Sequence, residues 1–346
     1  MAPQLHLQEE SMNRVWKILI VILIVAVAAA AGGLGYLFMK FPDAGDVPAL
    51  TVDMTQDRIE RGRYLANHVA VCIDCHSKRD FGFFAGPTIP GTEGGGGEHF
   101  PAEAGFPGDL YSKNITPSTS GLGNWNDGQI FHAITAGVST GGKALFPLMP
   151  YLHYGSSDRE DILDIVAYLK SLAPIENAIP ETKLKFPVNV IVRTLPTAPT
   201  FVTRPPKSDT VAYGRYLTHL AACAECHTPA EKGTPLPGMD FAGGFEFRMP
   251  WGTSRSANIT PDIETGIGAW SREQFVTKFK TFSLDIAKRI PVKPPLNETN
   301  YQTLMPWISY AGMTEEDLSA IYAYLRTLPA VKNKVQKFSA ADGAVY

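Results

Sequence analysis

The longest hydrophobic run stands near the start of the chain. From Ile18 to Met39 twenty-two residues pass without a charge, with Arg14 and Lys17 before them and Asp43 and Asp46 after. A run of that length spans a hydrocarbon core as one helix. Basic residues on its N-terminal flank place that end in the cytoplasm and everything beyond about residue 40 outside. The competing reading is a cleaved signal peptide, with Ala28 to Gly33 supplying small residues for cleavage. It is the weaker one, because the apolar run continues through Leu34, Tyr36, Leu37 and Phe38. The pattern predicts a polar, unstructured segment over 1–14, a transmembrane helix over 15–40 and a linker over 41–56.

Beyond the linker the apolar positions switch to short amphipathic stretches. Gln56 to Ala70 reads as a helix with Ile59, Leu65 and Val69 among its apolar positions, and Asp127 to Gly137 as one with Ile130, Phe131 and Ile134 on one face. A capping box at Ser157-x-x-Glu160 opens a third, whose Ile162, Ile165, Val166 and Leu169 follow i, i+3, i+4, i+7. Pro174 lies just past its end.

The same landmarks then return in the same order. Gly214-Arg215-Tyr216-Leu217 repeats Gly62-Arg63-Tyr64-Leu65, Asn258-Ile259-Thr260-Pro261 repeats Asn114-Ile115-Thr116-Pro117, and Trp270 repeats Trp125. Leu304-Met305-Pro306-Trp307 repeats Leu148-Met149-Pro150-Tyr151, and Thr314-x-x-Asp317 opens a second helix with Leu318, Ile321, Tyr322 and Leu325 on its apolar stripe. Such order marks an internal duplication. It predicts two domains, 57–173 and 209–330, joined by a Pro-rich linker over 174–208 and followed by a tail over 331–346. The offset between copies is 151 at Cys75 and Cys226, 144 at Asn114 and Asn258, and 156 at Met149 and Met305. The first copy is therefore seven residues longer before Asn114, and the second twelve longer before Met305. That second insertion contains Ile290-Pro291-Val292-Lys293-Pro294-Pro295, which has no counterpart.

Composition adds two constraints. A net charge of −3, from 31 basic and 34 acidic residues, argues against a nucleic-acid partner. The 31 glycines and 27 prolines imply much loop. The run Gly91 to Gly97 lacks the Lys-Ser/Thr of a phosphate-binding loop and reads as flexible.

The chemistry lies in the four cysteines. Cys72-Ile73-Asp74-Cys75-His76 and Cys223-Ala224-Glu225-Cys226-His227 use all of them. Cys-x-x-Cys-His reads as covalent haem attachment: two thiols add to the two vinyl groups, and the histidine takes one axial position on the iron. Two disulfides or a four-Cys zinc site would leave both histidines without a role. For the other axial position the duplication offers Met149 and Met305. A thioether there stabilises the ferrous state. His153, His132, His68 and His219 compete less well; the first two lack a counterpart, and all four read as packed or solvated. Asn114, Trp125, Asn258 and Trp270 are candidates to hold the haem propionates. Turn formation by Asn before Thr-Pro and core packing by Trp explain them equally well.

With these motifs in hand, the chain resembles the cytochrome c subunits of membrane-bound alcohol, gluconate and related sugar dehydrogenases. The resemblance rests on Cys-x-x-Cys-His, Asn-Ile-Thr-Pro, Gly-Ile-Gly-x-Trp, Met-Pro-aromatic and the Tyr-Leu-Arg/Lys-x-Leu helix end, and covers about residues 57–173 and 209–330. Those subunits typically carry three haem modules; two are visible here, behind an N-terminal hydrophobic segment. The resemblance implies an all-α fold, with a transmembrane helix followed by two tandem cytochrome c domains. It also implies two covalently bound haem c groups with His/Met ligation by His76, Met149, His227 and Met305, and single-electron transfer.

The expected function is a di-haem relay at the periplasmic face of a bacterial inner membrane, held there by lipid contact through the N-terminal helix. It would pass electrons between a quinol-oxidising complex or dehydrogenase and an oxidase or other acceptor, within a multi-subunit redox complex. The enzymatic alternative is a di-haem peroxidase, which needs one releasable distal ligand. Matching methionines in both copies argue against it.

Overall fold

In the computed structural model, which describes residues 3–231, 233–283, 285–286 and 289–341, one helix runs from Pro3 to Lys40. The expected unstructured segment over 1–14 is therefore helical from Pro3 onward. Leu, Gln, Glu and Met dominate that stretch, and all extend a helix readily once the apolar run has nucleated it. Arg14–Lys40 is long and apolar enough to cross a membrane, and none of its most apolar window is buried by the rest of the chain.

Each repeat is built on one helix crossing. Gln56–Tyr64 lies across Arg159–Ser171, and Thr210–Leu220 lies across Glu315–Leu325. A Cβ on Gly62 would fall 1.8 Å from the Asp164 carbonyl oxygen, and one on Gly214 1.8 Å from that of Ala320. The repeated glycine is thus required by close backbone approach. Leu65 and Leu217, three residues on, are fully buried. The N-cap of Arg159–Ser171 is Asp158, which accepts from the Glu160 N–H; Ser157 instead donates back to the His153 carbonyl, so the expected capping box is replaced by a simple side-chain cap one residue later. Thr314 caps the second closing helix as its sequence suggests.

The repeated tyrosine joins the two copies. Tyr64 Oη donates to Asp317 at 2.6 Å and Tyr216 Oη to Asp161 at 2.6 Å, so each repeat's tyrosine reaches the other's closing helix. Both carboxylates are buried. Asp161 also receives Arg61 and Arg204, and Asp317 receives Tyr213. A second reciprocal pair lies nearer the cysteine motifs. His68 Nδ1 meets the Ser309 carbonyl at 2.9 Å, while His219 Nδ1 lies 3.2 Å from His153 Nδ1. Around these contacts one continuous apolar core includes Leu65, Val69, Ile162 and Val166 of the first copy with Leu217, Leu220, Leu318 and Ile321 of the second.

The two unequal insertions meet each other. The Phe84 N–H donates to the Ile290 carbonyl, Val292 to Gly82, and the buried Gln302 amide donates to Phe81 and Phe83 while accepting from Ala85. The extra length of one copy is the partner of the extra length of the other.

The all-α expectation needs correction, because each repeat also carries a small antiparallel sheet. His99–Phe100 pairs with Gly108–Tyr111, which pairs with Lys183–Leu184; Glu246–Met249 pairs with Gly252–Arg255, which pairs with Phe338–Ala340. A short hairpin joins Ala230–Glu231 to Thr234–Pro235. Strands of two to four residues leave too little alternation to register as a sequence period. Their third members come from the stretches expected to be linker and tail, so each repeat runs on past 173 and past 330.

Removing the buried acceptor should cost more than removing one donor. Asp161→Ala strands Arg61, Arg204 and Tyr216 and is expected to lower unfolding free energy by about 3–5 kcal/mol. Tyr216→Phe should cost about 1.5–3 kcal/mol. Denaturant unfolding followed by circular dichroism checks the order, and a smaller loss for Asp161→Ala would count against a clasp centred on the carboxylate.

Candidate cofactor sites

Both cysteine motifs begin from the same strained backbone. Val71 and Ala222, the residues just before the first cysteine of each, have φ of 48° and 50°. Neither is glycine, and a β-branched residue there is an outlier that costs of order 1–3 kcal/mol. The preceding carbonyls, Ala70 and Ala221, accept from Tyr154 Oη at 3.0 Å and Tyr310 Oη at 3.1 Å. Both tyrosines are buried, and burial holds their phenols well above 10. Paired phenol–carbonyl bonds thus set where each short helical turn of cysteines starts.

The histidines are oriented alike. His76 Nδ1 lies 2.6 Å from the Lys113 carbonyl and His227 Nδ1 lies 2.8 Å from that of Ala257. Burial lowers the pKa of each imidazole against the raising effect of the carbonyl. A neutral ring donating from Nδ1 presents its Nε2 lone pair outward, the arrangement of a metal-ligating histidine with an oriented second hydrogen bond. The carbonyls belong to the residue just before each Asn-Ile-Thr-Pro, which gives that motif its role. Asn114 Nδ2 donates to the Ile175 carbonyl at 2.7 Å, and its Oδ1 accepts from the Thr116 N–H and hydroxyl. Asn258 does the same with Val331 and Thr260. Further bonds to Ser118, Ser120 and Thr265 occupy the amides. Asn114 and Asn258, expected beside the propionates, donate here to partners inside the protein, where they fix the loop that orients the histidine.

The glycine run is part of the same loop. Gly96 N–H donates to the His76 carbonyl, as Gly243 does to His227. A Cβ at either would press within 2.5 Å of the Lys113 or 2.4 Å of the Ala257 backbone, at φ of 68° and 72°. The stretch expected to be flexible is hydrogen-bonded throughout Gly94 to Gly97. Sequence reasoning missed Gly96, Gly243, Tyr154 and Tyr310; their recurrence at matching places in both copies was the available signal.

In the second copy the pieces share one cavity of about 490 Å³, within the usual range for a cofactor site of about 300–1,000 Å³. Cys223, Cys226, His227 and Met305 line it, as does Trp270. Phe84 of the first copy reaches in, stacked on Phe282 at 5.4 Å. Ser254 Oγ on the wall is buried with no hydrogen-bond partner among the described residues, and Lys278 and Lys337 also face the space. Burial, then Lys337, lowers the Lys278 pKa. An apolar cavity with two ammonium groups and an orphaned hydroxyl fits a flat apolar macrocycle bearing carboxylates. In the first copy Met149 packs partly buried against the core, as Met305 does, and Trp125 packs there too. Burial pushes the thiols of Cys72, Cys75 and Cys223 up to about 12 and that of Cys226 to about 11. Among the described residues no group of three or more His, Cys, Asp and Glu is placed to hold a metal ion.

Residues 211–329 match the family model of cytochrome c. The chain carries a cytochrome c domain. Such a domain implies covalently bound haem c. Over 79% of its length the chain is 32% identical to the fructose dehydrogenase cytochrome subunit of Gluconobacter japonicus, covering 53% of that protein. It is 28% identical to the gluconate 2-dehydrogenase cytochrome c subunit of Pantoea cypripedii, over 82% of this chain and 62% of the other. A diheme cytochrome c-type protein of Cereibacter sphaeroides is 26% identical over 75% of this chain and 83% of its own length. The chain spans little more than half the length of the first dehydrogenase subunits it matches.

The asparagine has a measurable role in this cytochrome domain. Asn258→Ala leaves the Thr260 N–H without its acceptor and the Val331 carbonyl with only the longer Thr260 hydroxyl contact at 3.3 Å, and is expected to cost about 1–3 kcal/mol. Denaturant titration with detection at the haem absorption checks it; a loss below about 0.5 kcal/mol would mean that the loop is held by something else.

Proposed function

We propose that the chain is a membrane-anchored electron relay with two haem c groups, one in each repeat. In this reading Cys72, Cys75, His76 and Met149 would hold the first. Cys223, Cys226, His227 and Met305 would hold the second. The observation that carries the reading is the duplicated histidine geometry. A neutral imidazole is tied through Nδ1 to a backbone carbonyl next to two thiols, and in the second repeat it shares a cavity with the methionine.

Haem, when bound, supplies one-electron chemistry at iron, and the protein's part is to hold it and tune it. The Lys113 and Ala257 carbonyls orient the imidazoles. Met149 and Met305 favour the reduced state as thioethers. Lys278 and Lys337 offset negative charge in the second cavity. Phe84 and the apolar walls keep water from it.

The helix Arg14–Lys40 anchors the chain, with its N-terminus in the cytoplasm and both repeats in the periplasm. Membrane-bound sugar and alcohol dehydrogenases are the partner class suggested by the relatives' names, with the relay carrying their electrons onward to a quinone, an oxidase or another acceptor.

Purified chain should yield two haem c per polypeptide and bind neither cyanide nor carbon monoxide readily. Ready ligand binding at one haem together with peroxide turnover would replace the relay by a peroxidase. Met149→His should lower one of the two potentials in a spectroelectrochemical titration and leave the other in place, with Met305→His acting on the other. An unchanged pair of potentials in Met149→His removes that methionine from the ligand set.

A further inference from the structure

The chain connecting the two repeats leaves an apolar surface beside the end of the N-terminal helix. Phe186-Pro187-Val188-Asn189-Val190-Ile191-Val192 contains no charge. It forms the short helix Val188–Ile191, continued by the turn Val192–Thr194. Val192 turns inward and is buried, but Phe186 is 81% exposed, Ile191 50% and Leu195 36%. Ile191 and Leu195 stand four apart on one face, with Phe186 just ahead of them. An apolar helix face turned outward needs a covering.

Its position says which. Arg193 Nη2 donates to the carbonyls of Phe38 and Phe41, at 3.3 Å and 2.5 Å, and its guanidinium lies 4.8 Å from the centre of the Phe38 ring. Asp43 bridges to Thr197. The segment therefore packs against the last turn of the helix, and Arg193 reaches Phe38, the next-to-last residue of the apolar run. The surrounding charge is mixed. Lys40 is paired with Asp43 at 2.7 Å and Lys143 with Glu181 at 3.8 Å, and Asp46 lies close in sequence. Lys183 and Lys185 carry no ion-pair partner among the described residues. Exposed apolar side chains flanked by basic ones, level with the end of a spanning helix, are the pattern of a segment lying in the headgroup boundary.

We propose that residues 186–195 form a second membrane contact, with Phe186, Ile191 and Leu195 inserted at the lipid headgroup–acyl boundary and Lys183 and Lys185 facing lipid phosphates. The contact rests on the reading of Arg14–Lys40 as a membrane anchor. It fixes the tilt of the two haem-binding repeats over the bilayer, which a single helix followed by a linker would leave free.

Nitroxide labels on Phe186→Cys and Ile191→Cys test it in haem-loaded full chain, reconstituted in nanodiscs of phosphatidylethanolamine and phosphatidylglycerol. The four native cysteines are consumed in haem attachment, so only the introduced thiol takes the label. Ile24→Cys marks the anchor, and Ile263→Cys, at a site 73% exposed on the second repeat, marks open solvent. Power saturation should give several-fold lower access to a nickel chelate at 186 and 191 than at 263, with oxygen access approaching that at 24. Labels at 186 and 191 as accessible as 263, with 24 in lipid, would overturn the contact and leave the anchor standing. An aqueous label at 24 would overturn both. Screening of 186 and 191 only after a dehydrogenase catalytic subunit is added would overturn the lipid contact in favour of a protein one.

Discussion

Two buried carboxylates hold the architecture together. Asp161 and Asp317 sit on the closing helices, out of water, and neither repeat supplies all the donors its own aspartate takes. Each accepts from a tyrosine of the opposite repeat. The connecting chain adds Arg204 to Asp161 and brings Lys207 within 3.8 Å of Asp317. Breaking such a buried pair by removing one side strands a charge in low dielectric, which is far more costly than never having formed it. The repeats therefore cannot part like domains on a flexible tether. The cysteine motifs lie along this same junction. Asp74, inside the first motif, reaches toward Ser309 Oγ at 3.5 Å, and Glu225, inside the second, accepts from His153 Nε2 at 2.8 Å. Each attachment turn touches the helix that follows the other repeat's methionine.

Symmetry at the junction is accompanied by asymmetry at the rim. The loop 81–85 of the first repeat and the segment 290–302 of the second pair with one another, and the outcome is Phe84 placed in the second repeat's cavity. That cavity is completed by a residue from the other repeat. A separated second repeat would keep its cysteines, histidine and methionine but lose part of its wall. The same dependence explains why the insertions differ in length: they form two sides of one contact rather than two independent loops.

Much of this was legible in the sequence, and the parts that were not share a cause. Gly-Arg-Tyr-Leu appears twice because glycine permits the helix crossing, tyrosine makes the clasp and leucine fills the core; the sequence reveals the repetition without the partners. The cysteine motifs and the Leu-Met-Pro-aromatic segments were visible because side-chain chemistry carries them. The carbonyls of Lys113 and Ala257 were not, since a backbone acceptor leaves no trace in residue type. Asn114 and Asn258 were noticed, but the loop bonds they make were not legible, because an amide that stitches a loop and one that binds a carboxylate look alike in a string of letters. The small sheets escaped because their third strands lie some seventy residues or more from the others.

The histidines set aside as packed or solvated mark where the two copies stop being equivalent. His68 and His219 occupy matching places, but they face Ser309 in one case and His153 in the other. One side of the junction thus holds His153, His219, Ser156 and Glu225 in one hydrogen-bonded chain. The other holds Asp74 against Arg79 at 3.0 Å, with Glu98 on the same guanidinium. On the proposed reading the two irons have the same ligand types, so any difference in their potentials arises from surroundings such as these. Burial, charge and hydrogen bonding around a haem are among the protein's levers on its potential. Duplication supplies two equal sites. The unequal polar groups between them, together with Lys278 and Lys337 in the second cavity, give the two sites different surroundings and so a physical basis for different potentials.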